Sequence, residues 1–215
     1  MSFTLTTLKT AIQDYLESSE TTFVNNLDTI IQEGEERIFK LVQLPQQRKN
    51  VTGNVSTNNR FLTLPNDYLA PFSLAVIDSG NYHYLEFKHP SFAKQFVSST
   101  STTGRPRYYT QFDDDTFEVI PKPDSDYTAE LHYLHRPNSI TAGASDGTTF
   151  LSTEYPDALL YACLTEGAIF LKEPQADIAN FENRFKEAIL RAKNLSEGRL
   201  TRDEYRYDSL RINVS

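Results

Sequence analysis

The chain has 215 residues, 39% of them hydrophobic and 23% charged, enough to bury one sizeable core or two small ones. Its formal net charge of -8 speaks against broad nucleic-acid binding through a basic face, and no apolar run approaches the roughly 20 residues of a membrane-crossing helix. The first residues lack a basic stretch followed by an apolar one, so no secretory signal is expected; a single cysteine excludes an internal disulfide framework and fits reducing cytoplasm.

Leu5, Leu8, Ile12 and Tyr15/Leu16 mark a first amphipathic helix, with Thr4 or Thr7 as its N-cap. After a turn at residues 18–22, a second helix carries Phe23/Val24, Leu27, Ile30/Ile31, Ile38 and Leu41/Val42. Gly34 falls on that stripe. A mid-helix glycine costs about 1 kcal/mol against alanine, so it is expected to admit another helix closely, with Gly167 as the other side of the contact. From residue 50 to 150 the period changes to two. Strands are expected near Val51 and Val55 (with a turn at Gly53-Asn54 between them), at 60–64, 74–77, 82–87, 108–112, 116–120 and 127–135, a short helix at 90–97, a flexible loop at 98–104 and a second loop at 141–149. Asp78-Ser79-Gly80-Asn81 and Asp113-Asp114-Asp115 read as hairpin turns.

The run 157–171 is apolar on almost every side, the pattern of a central helix. A break at Lys172-Glu173 leads to a last helix with Pro174 in its first turn and apolar residues at Ile178, Phe181, Phe185, Ala188/Ile189, Ala192 and Leu195. Residues 201–215 show neither a helical stripe nor a core's worth of apolar residues, and read as an extended arm. The expected fold is therefore α+β: a four-helix bundle (1–44 and 152–200) with an inserted antiparallel β domain (45–151) and an extended C-terminal arm (201–215).

No constellation for chemistry emerges: no catalytic, cofactor-binding or metal-binding residues are assigned, and the chain is not expected to be an enzyme. His132 and His135, three apart on a strand, point to opposite faces; Cys163 sits inside the apolar helix; Asp113-Asp114-Asp115 lacks the glycine and glutamate of a calcium loop. Neither a phosphate-binding glycine loop nor a Gly-x-Ser-x-Gly elbow occurs. A hydrolase would have to use dispersed carboxylates such as Asp67, Asp113 or Glu118, two of them close together in a cleft with one pKa raised.

Placement of charge and aromatics is more informative. Residues 1–36 hold one base, Lys9, against Asp14, Glu17, Glu20, Asp28, Glu33, Glu35 and Glu36, whereas the end of the chain is mildly basic. The chain has 12 tyrosines, 14 phenylalanines and no tryptophan. Tyr82, Tyr84, Tyr108, Tyr109, Tyr127 and Tyr133 gather in the β part, read equally as interface anchors or as a tolerant sheet face. In the arm, Arg199, Arg202, Tyr205, Arg206, Tyr207, Leu210 and Arg211 are assigned to a partner interface, on a segment able to add a strand to an exposed edge.

Leu64-Pro65-Asn66-Asp67-Tyr68-Leu69, Gly104-Arg105-Pro106-Arg107-Tyr108-Tyr109, Phe117-Glu118-Val119-Ile120-Pro121-Lys122-Pro123 and Tyr155-Pro156-Asp157-Ala158-Leu159-Leu160-Tyr161-Ala162, with the early Glu35-Glu36-Arg37-Ile38, resemble the head-to-tail adaptor (connector) proteins of tailed bacteriophages, most like those of short-tailed phages. The similarity runs from about Phe23 to Leu200 and rests on the order of these motifs. It implies a structural virion protein at the neck, assembled in the host cytoplasm as a ring (typically a dodecamer) below the portal. The ring would extend the DNA channel without specific DNA binding and offer a platform to a tail nozzle or tail tube protein. The resemblance further implies that the bundle forms the ring wall and that the segment from Arg199 onward clamps the portal; no cofactor and no membrane are implied. The alternative within the virion is a tail-associated receptor- or carbohydrate-binding module.

Overall fold

The computed structural model describes residues 2–97 and 102–207, with the backbone alone at residues 94, 197 and 199–207. The chain divides into a helical unit (1–46 and 138–215) and a β unit (47–137).

The helical unit begins with α1 (Leu5–Tyr15), capped by Thr4, whose hydroxyl accepts from the Thr7 amide at 3.2 Å while the Thr7 hydroxyl accepts from the Thr4 amide at 2.8 Å. Then come α2 (Thr21–Leu41), α4 (Phe150–Glu154), α5 (Pro156–Leu171) and α6 (Gln175–Tyr207). The expected four-helix bundle is not what forms. In a bundle each helix shares one stripe with its neighbours; here α5 is buried on nearly every side, from Ala158 to Ala168, and α1, α2, α4 and α6 each pack on it. An all-round apolar helix cannot be satisfied by two neighbours, and this one gathers four. Lys172 ends α5 in the left-handed region at φ 58, turning the chain into α6.

Gly34 does admit a close helix, but its neighbour is Cys163 on α5, not Gly167. A Cβ at position 34 would lie 3.0 Å from Cys163 Sγ and 3.1 Å from its backbone nitrogen, whereas one at Gly167 would strike Leu16 Cδ1 at 2.7 Å. Next to Gly34, Glu35 is 3% exposed. Its Oε1 accepts from the Ile140 amide at 3.0 Å, in a 3-10 turn (Ile140–Ala142), and its Oε2 has no protein partner. Burial raises this carboxyl above the usual carboxylate range, outweighing the hydrogen bonds from Ser139 and Ile140. A carboxyl with a raised folded-state pKa holds its proton more tightly folded than unfolded. Its penalty is absent at acid pH and grows as pH rises through the folded pKa. Glu35→Gln is therefore expected to gain stability over the native chain between pH 5 and 8, by about 1 kcal/mol. Urea titrations across that range check it; parallel pH profiles for the two proteins would show that the carboxyl's pKa is not raised by folding.

The β unit holds β1 (Arg48–Val55), β2 (Phe61–Thr63), β3 (Tyr68–Asp78), β4 (Asn81–Phe87), α3 (Pro90–Phe96), β5 (Tyr108–Asp113), β6 (Thr116–Ile120) and β7 (Tyr127–His135). The seven strands form one sheet in the order β1-β7-β3-β4-β5-β6-β2, curled so that its two ends approach each other like a nearly closed barrel. The expected antiparallel domain is thus corrected to a mixed sheet, because β4 and β5 run parallel. Parallel neighbours need a long crossover, and the segment carrying α3 supplies it. The turn expected at Gly53-Asn54 is absent: both residues pair with β7, opposite Ala129 and Thr128. β3 starts at Tyr68, earlier than expected, and takes up Pro71 at register shifts against β7, where a missing amide is tolerated. Val55, Leu74, Val76, Leu85, Tyr109, Phe117, Val119, Leu131 and Tyr133 fill the interior.

The expected extended arm is also corrected in part. α6 continues through Thr201-Arg202-Asp203-Glu204-Tyr205-Arg206-Tyr207. Extending an existing helix adds a hydrogen bond for each residue ordered, so a segment with no apolar stripe is still carried along. The remainder, 208–215, lies outside the described residues, as do 98–101 of the loop expected at 98–104.

Candidate assembly surface

α6 is held to the helical unit by its stripe Ile178, Phe181, Phe185, Ala188 and Ala192, and by Arg37 of α2. The Arg37 guanidinium donates to Glu166 of α5 at 2.9 Å and to Glu182 of α6, and its carbon sits 4.8 Å from the Phe185 ring centroid. One planar donor thereby ties three helices, which a lysine would not do. The stripe then departs from the expected register. Ser196, not Leu195, is buried, its hydroxyl donating to the Gln43 carbonyl at 2.8 Å beyond the end of α2. That leaves Leu190 (58% exposed) and Leu195 (49%) in solvent beside Arg191 and Lys193. A hollow of about 150 Å³ between α6 and the start of α5 is lined by Tyr155, Pro156, Asp157, Ala188, Arg191 and Leu195.

Elsewhere on the unit, the α1–α2 connection is polar and acidic. Gln13, Asp14, Glu17, Ser18 and Ser19 line an open hollow of about 430 Å³, with Glu20 and Glu33 also exposed. Of the acidic residues at the front, Asp28 is paired with Lys9 at 2.7 Å, Glu36 with Lys40 at 3.1 Å, and Glu35 is buried. Arg191 in turn lies 4.0 Å from Asp157, so the helical unit presents one acidic patch and, on α6, one marked by the exposed Leu190 and Leu195.

The tyrosines of the β unit split. Tyr109, Tyr127 and Tyr133 are core residues, the last donating to Asp67 at 2.9 Å; Tyr108 packs under Phe92 and Phe96 of α3. Tyr82 and Tyr84 (67% exposed) face outward from β4, on the face that also carries Phe72 (62%). Arg48 stacks 4.5 Å from the Phe72 centroid. Between them Glu130 accepts from Asn50 at 3.0 Å and from Tyr82 at 3.2 Å, and is 2.8 Å from His132 Nε2. A second exposed pair, Phe61 and Phe112, has ring centroids 4.9 Å apart. Phe72 carries no sequence signal of exposure: it is displaced outward by the register shift between Pro71 and Ser73.

The carboxylates that a hydrolase would need are engaged separately. Asp67 is bound by Lys49 at 2.7 Å and by Tyr133, and its pKa is lowered, chiefly by Lys49, the reverse of what an acid catalyst requires. Glu118 pairs with Arg60 at 3.0 Å, and Asp113 accepts from the Asp115 amide in the β5–β6 turn. Among the described residues no group of three metal-ligating side chains occurs, and no helix is long and apolar enough to cross a membrane. Cys163 is fully buried, with its thiol pKa pushed well up by that burial.

In comparison with known proteins, the model of the SU10 adaptor protein family matches residues 3–212. The chain belongs to the SU10 adaptor protein family. It is a bacteriophage adaptor, a structural component of the virion. Comparison with curated proteins finds no match. Within this SU10 adaptor, the residues assigned to the partner interface fall at the end of α6: Arg199, Arg202, Tyr205, Arg206 and Tyr207 lie on its last turns, while Leu210 and Arg211 lie outside the described residues. Sequence reasoning missed Leu190 and Leu195 as surface residues. The only available signal was that Leu190 does not fit the apolar stripe.

Proposed function

We propose that this SU10 adaptor is the head-to-tail connector of its phage: a ring of about twelve copies below the portal, continuing the DNA channel and carrying the next tail protein, a nozzle or a tube. The observation that carries this reading is the pair of dissimilar patches on the helical unit, acidic at the α1–α2 connection and apolar at Leu190 and Leu195 of α6. A closed ring needs heterologous contacts, in which one patch of each copy meets a different patch of the next. Like charges disfavour the acidic patch meeting itself, and exposed leucines favour contact with a different, less charged surface. The helical unit then forms the ring wall. The net charge of -8 suits a channel that lets duplex DNA pass, since a negative wall gains nothing from counterion release.

The end of α6, with Arg199, Arg202, Tyr205, Arg206 and Tyr207, contacts the portal, and Leu210 and Arg211 beyond it contact a partner. Electron microscopy of the protein mixed with its portal, beside a mass measurement of the protein alone, tests the reading: a ring capping the portal is expected. Arg202→Glu combined with Arg206→Glu is expected to weaken portal attachment at least tenfold with an unchanged melting temperature. Attachment and melting both unchanged would remove the helix end from the portal contact.

A further inference from the structure

The two ends of the β sheet differ. β2 is three residues long, but β1 runs eight residues, pairs with β7 without a bulge and contains no proline. Among the described residues β1 makes no backbone hydrogen bond on its outer side: β2 approaches but does not pair with it. Long regular edges pair with other chains unless charge, proline, a bulge or a covering segment prevents it. The charges here are turned to their own unit, Arg48 onto Phe72 and Lys49 onto Asp67. Val51 stands on the core side, opposite the buried Leu131, yet is 36% exposed, so the interior lacks a cover along this strand.

The chain also contains a segment of matching pattern. Ser209-Leu210-Arg211-Ile212-Asn213-Val214-Ser215 alternates apolar and polar residues without a break, which in a strand puts Leu210, Ile212 and Val214 on one face. Its seven residues are one fewer than the eight of β1. Ser196 is the last described side chain buried in the helical unit, and α6 runs on to Tyr207, about 16 Å further along its axis. We propose that residues 209–215 of one copy add to the free edge of β1 in a second copy as an eighth strand, laying Leu210, Ile212 and Val214 against Val51. Backbone hydrogen bonds supply the affinity and the three apolar side chains the register. The proposal goes beyond the ring reading and does not depend on the portal.

The test uses the full chain carrying Leu210→Asp, Ile212→Asp and Val214→Asp, which frees β1 without touching any described element, and a labelled peptide of residues 207–215. The peptide is expected to bind with a micromolar Kd. Val51→Lys in the same chain is expected to weaken binding at least tenfold with unchanged melting, because a charge then points to the covered side. Two N-methylated peptides separate strand pairing from general stickiness: one methylated at Leu210, Ile212 and Val214, the other at Ser209, Arg211 and Asn213. In a strand alternate amides face opposite edges, so one peptide loses at least tenfold and the other binds as the parent does. Absence of binding, or equal binding by the two methylated peptides, overturns the proposal. A photo-cross-linker replacing Ile212 in a tagged full-length chain, mixed with untagged chain, is expected to label β1 of the untagged copy; labelling confined to the same chain, or away from β1, also overturns it. Portal binding enters none of these measurements, so they and the ring reading fail separately.

Discussion

Gly34→Leu is expected to destabilise the helical unit by more than about 3 kcal/mol and to leave little of it folded at moderate urea. Gly34 sits at the closest approach of α2 to α5, and two of the three atoms nearest its missing Cβ, the nitrogen and Cα of Cys163, are backbone at 3.1 and 3.3 Å. A side chain can rotate away; a helix backbone moves only if α5 moves, and α5 is the helix on which α1, α2, α4 and α6 all rest. Gly34→Ala sharpens the test, because helix propensity alone would make it stabilising by about 1 kcal/mol. Overpacking against a backbone costs about 1–3 kcal/mol, so a net loss of about 1 kcal/mol is expected. Adding Cys163→Ala removes only the sulfur, 3.0 Å away, and is not expected to rescue it. Urea denaturation followed by far-UV circular dichroism decides. A stabilised Gly34→Ala would mean that the two helices part easily, and that the glycine is incidental.

Phe117→Ala is expected to cost the β unit about 3–5 kcal/mol. Phe117 is fully buried on β6, its ring centroid 5.6 Å from Tyr68 in an edge-to-face contact and 5.0 Å from Tyr109. Loss of the ring removes both aromatic contacts and leaves a void between strands from different parts of the sheet, which the curled sheet cannot close without shifting register. The chain has no tryptophan, and seven of its 12 tyrosines, Tyr68 and Tyr109 among them, lie in this unit, so tyrosine fluorescence is weighted toward it. Its transition should move to lower urea while the helical signal at 222 nm still reports α1, α2, α5 and α6. A substitution costing under 1 kcal/mol would show that the interior collapses readily around position 117, contrary to a close-packed core.

Much of the local structure was written in short-range pattern. The stripes Leu5-Leu8-Ile12 and Phe23-Leu27-Ile30/Ile31-Ile38 placed α1 and α2, and the alternation at 82–87, 116–120 and 127–135 placed three strands, because burying one face repeats every 3.6 or every 2 residues. Gly34 was legible as a close contact because its cost demanded a reason; its partner was not, since the rotation of α5 about its own axis is invisible when that helix is apolar all round. For the same reason the mixed sheet escaped: strand direction depends on whether the chain crosses over between β4 and β5, and the side-chain period is identical either way. The patches were half legible. Acidic residues cluster in sequence near the first turn, but Leu190 and Leu195 became surface only when Ser196 took the buried place.

By itself, then, the sequence determined the kinds of elements, the absence of a recognisable catalytic or metal-binding motif, and the family, through motifs spread along the chain and a match over residues 3–212. Tertiary structure alone decided which face of α5 meets Gly34, that the sheet curls with β1 left as an open edge, and that α6 carries on to Tyr207. The division has one physical cause. Period and propensity act between residues a few positions apart, whereas which edge stays unpaired and how a surrounded helix is rotated against its neighbours depend on contacts between distant segments, whose geometry no local pattern encodes.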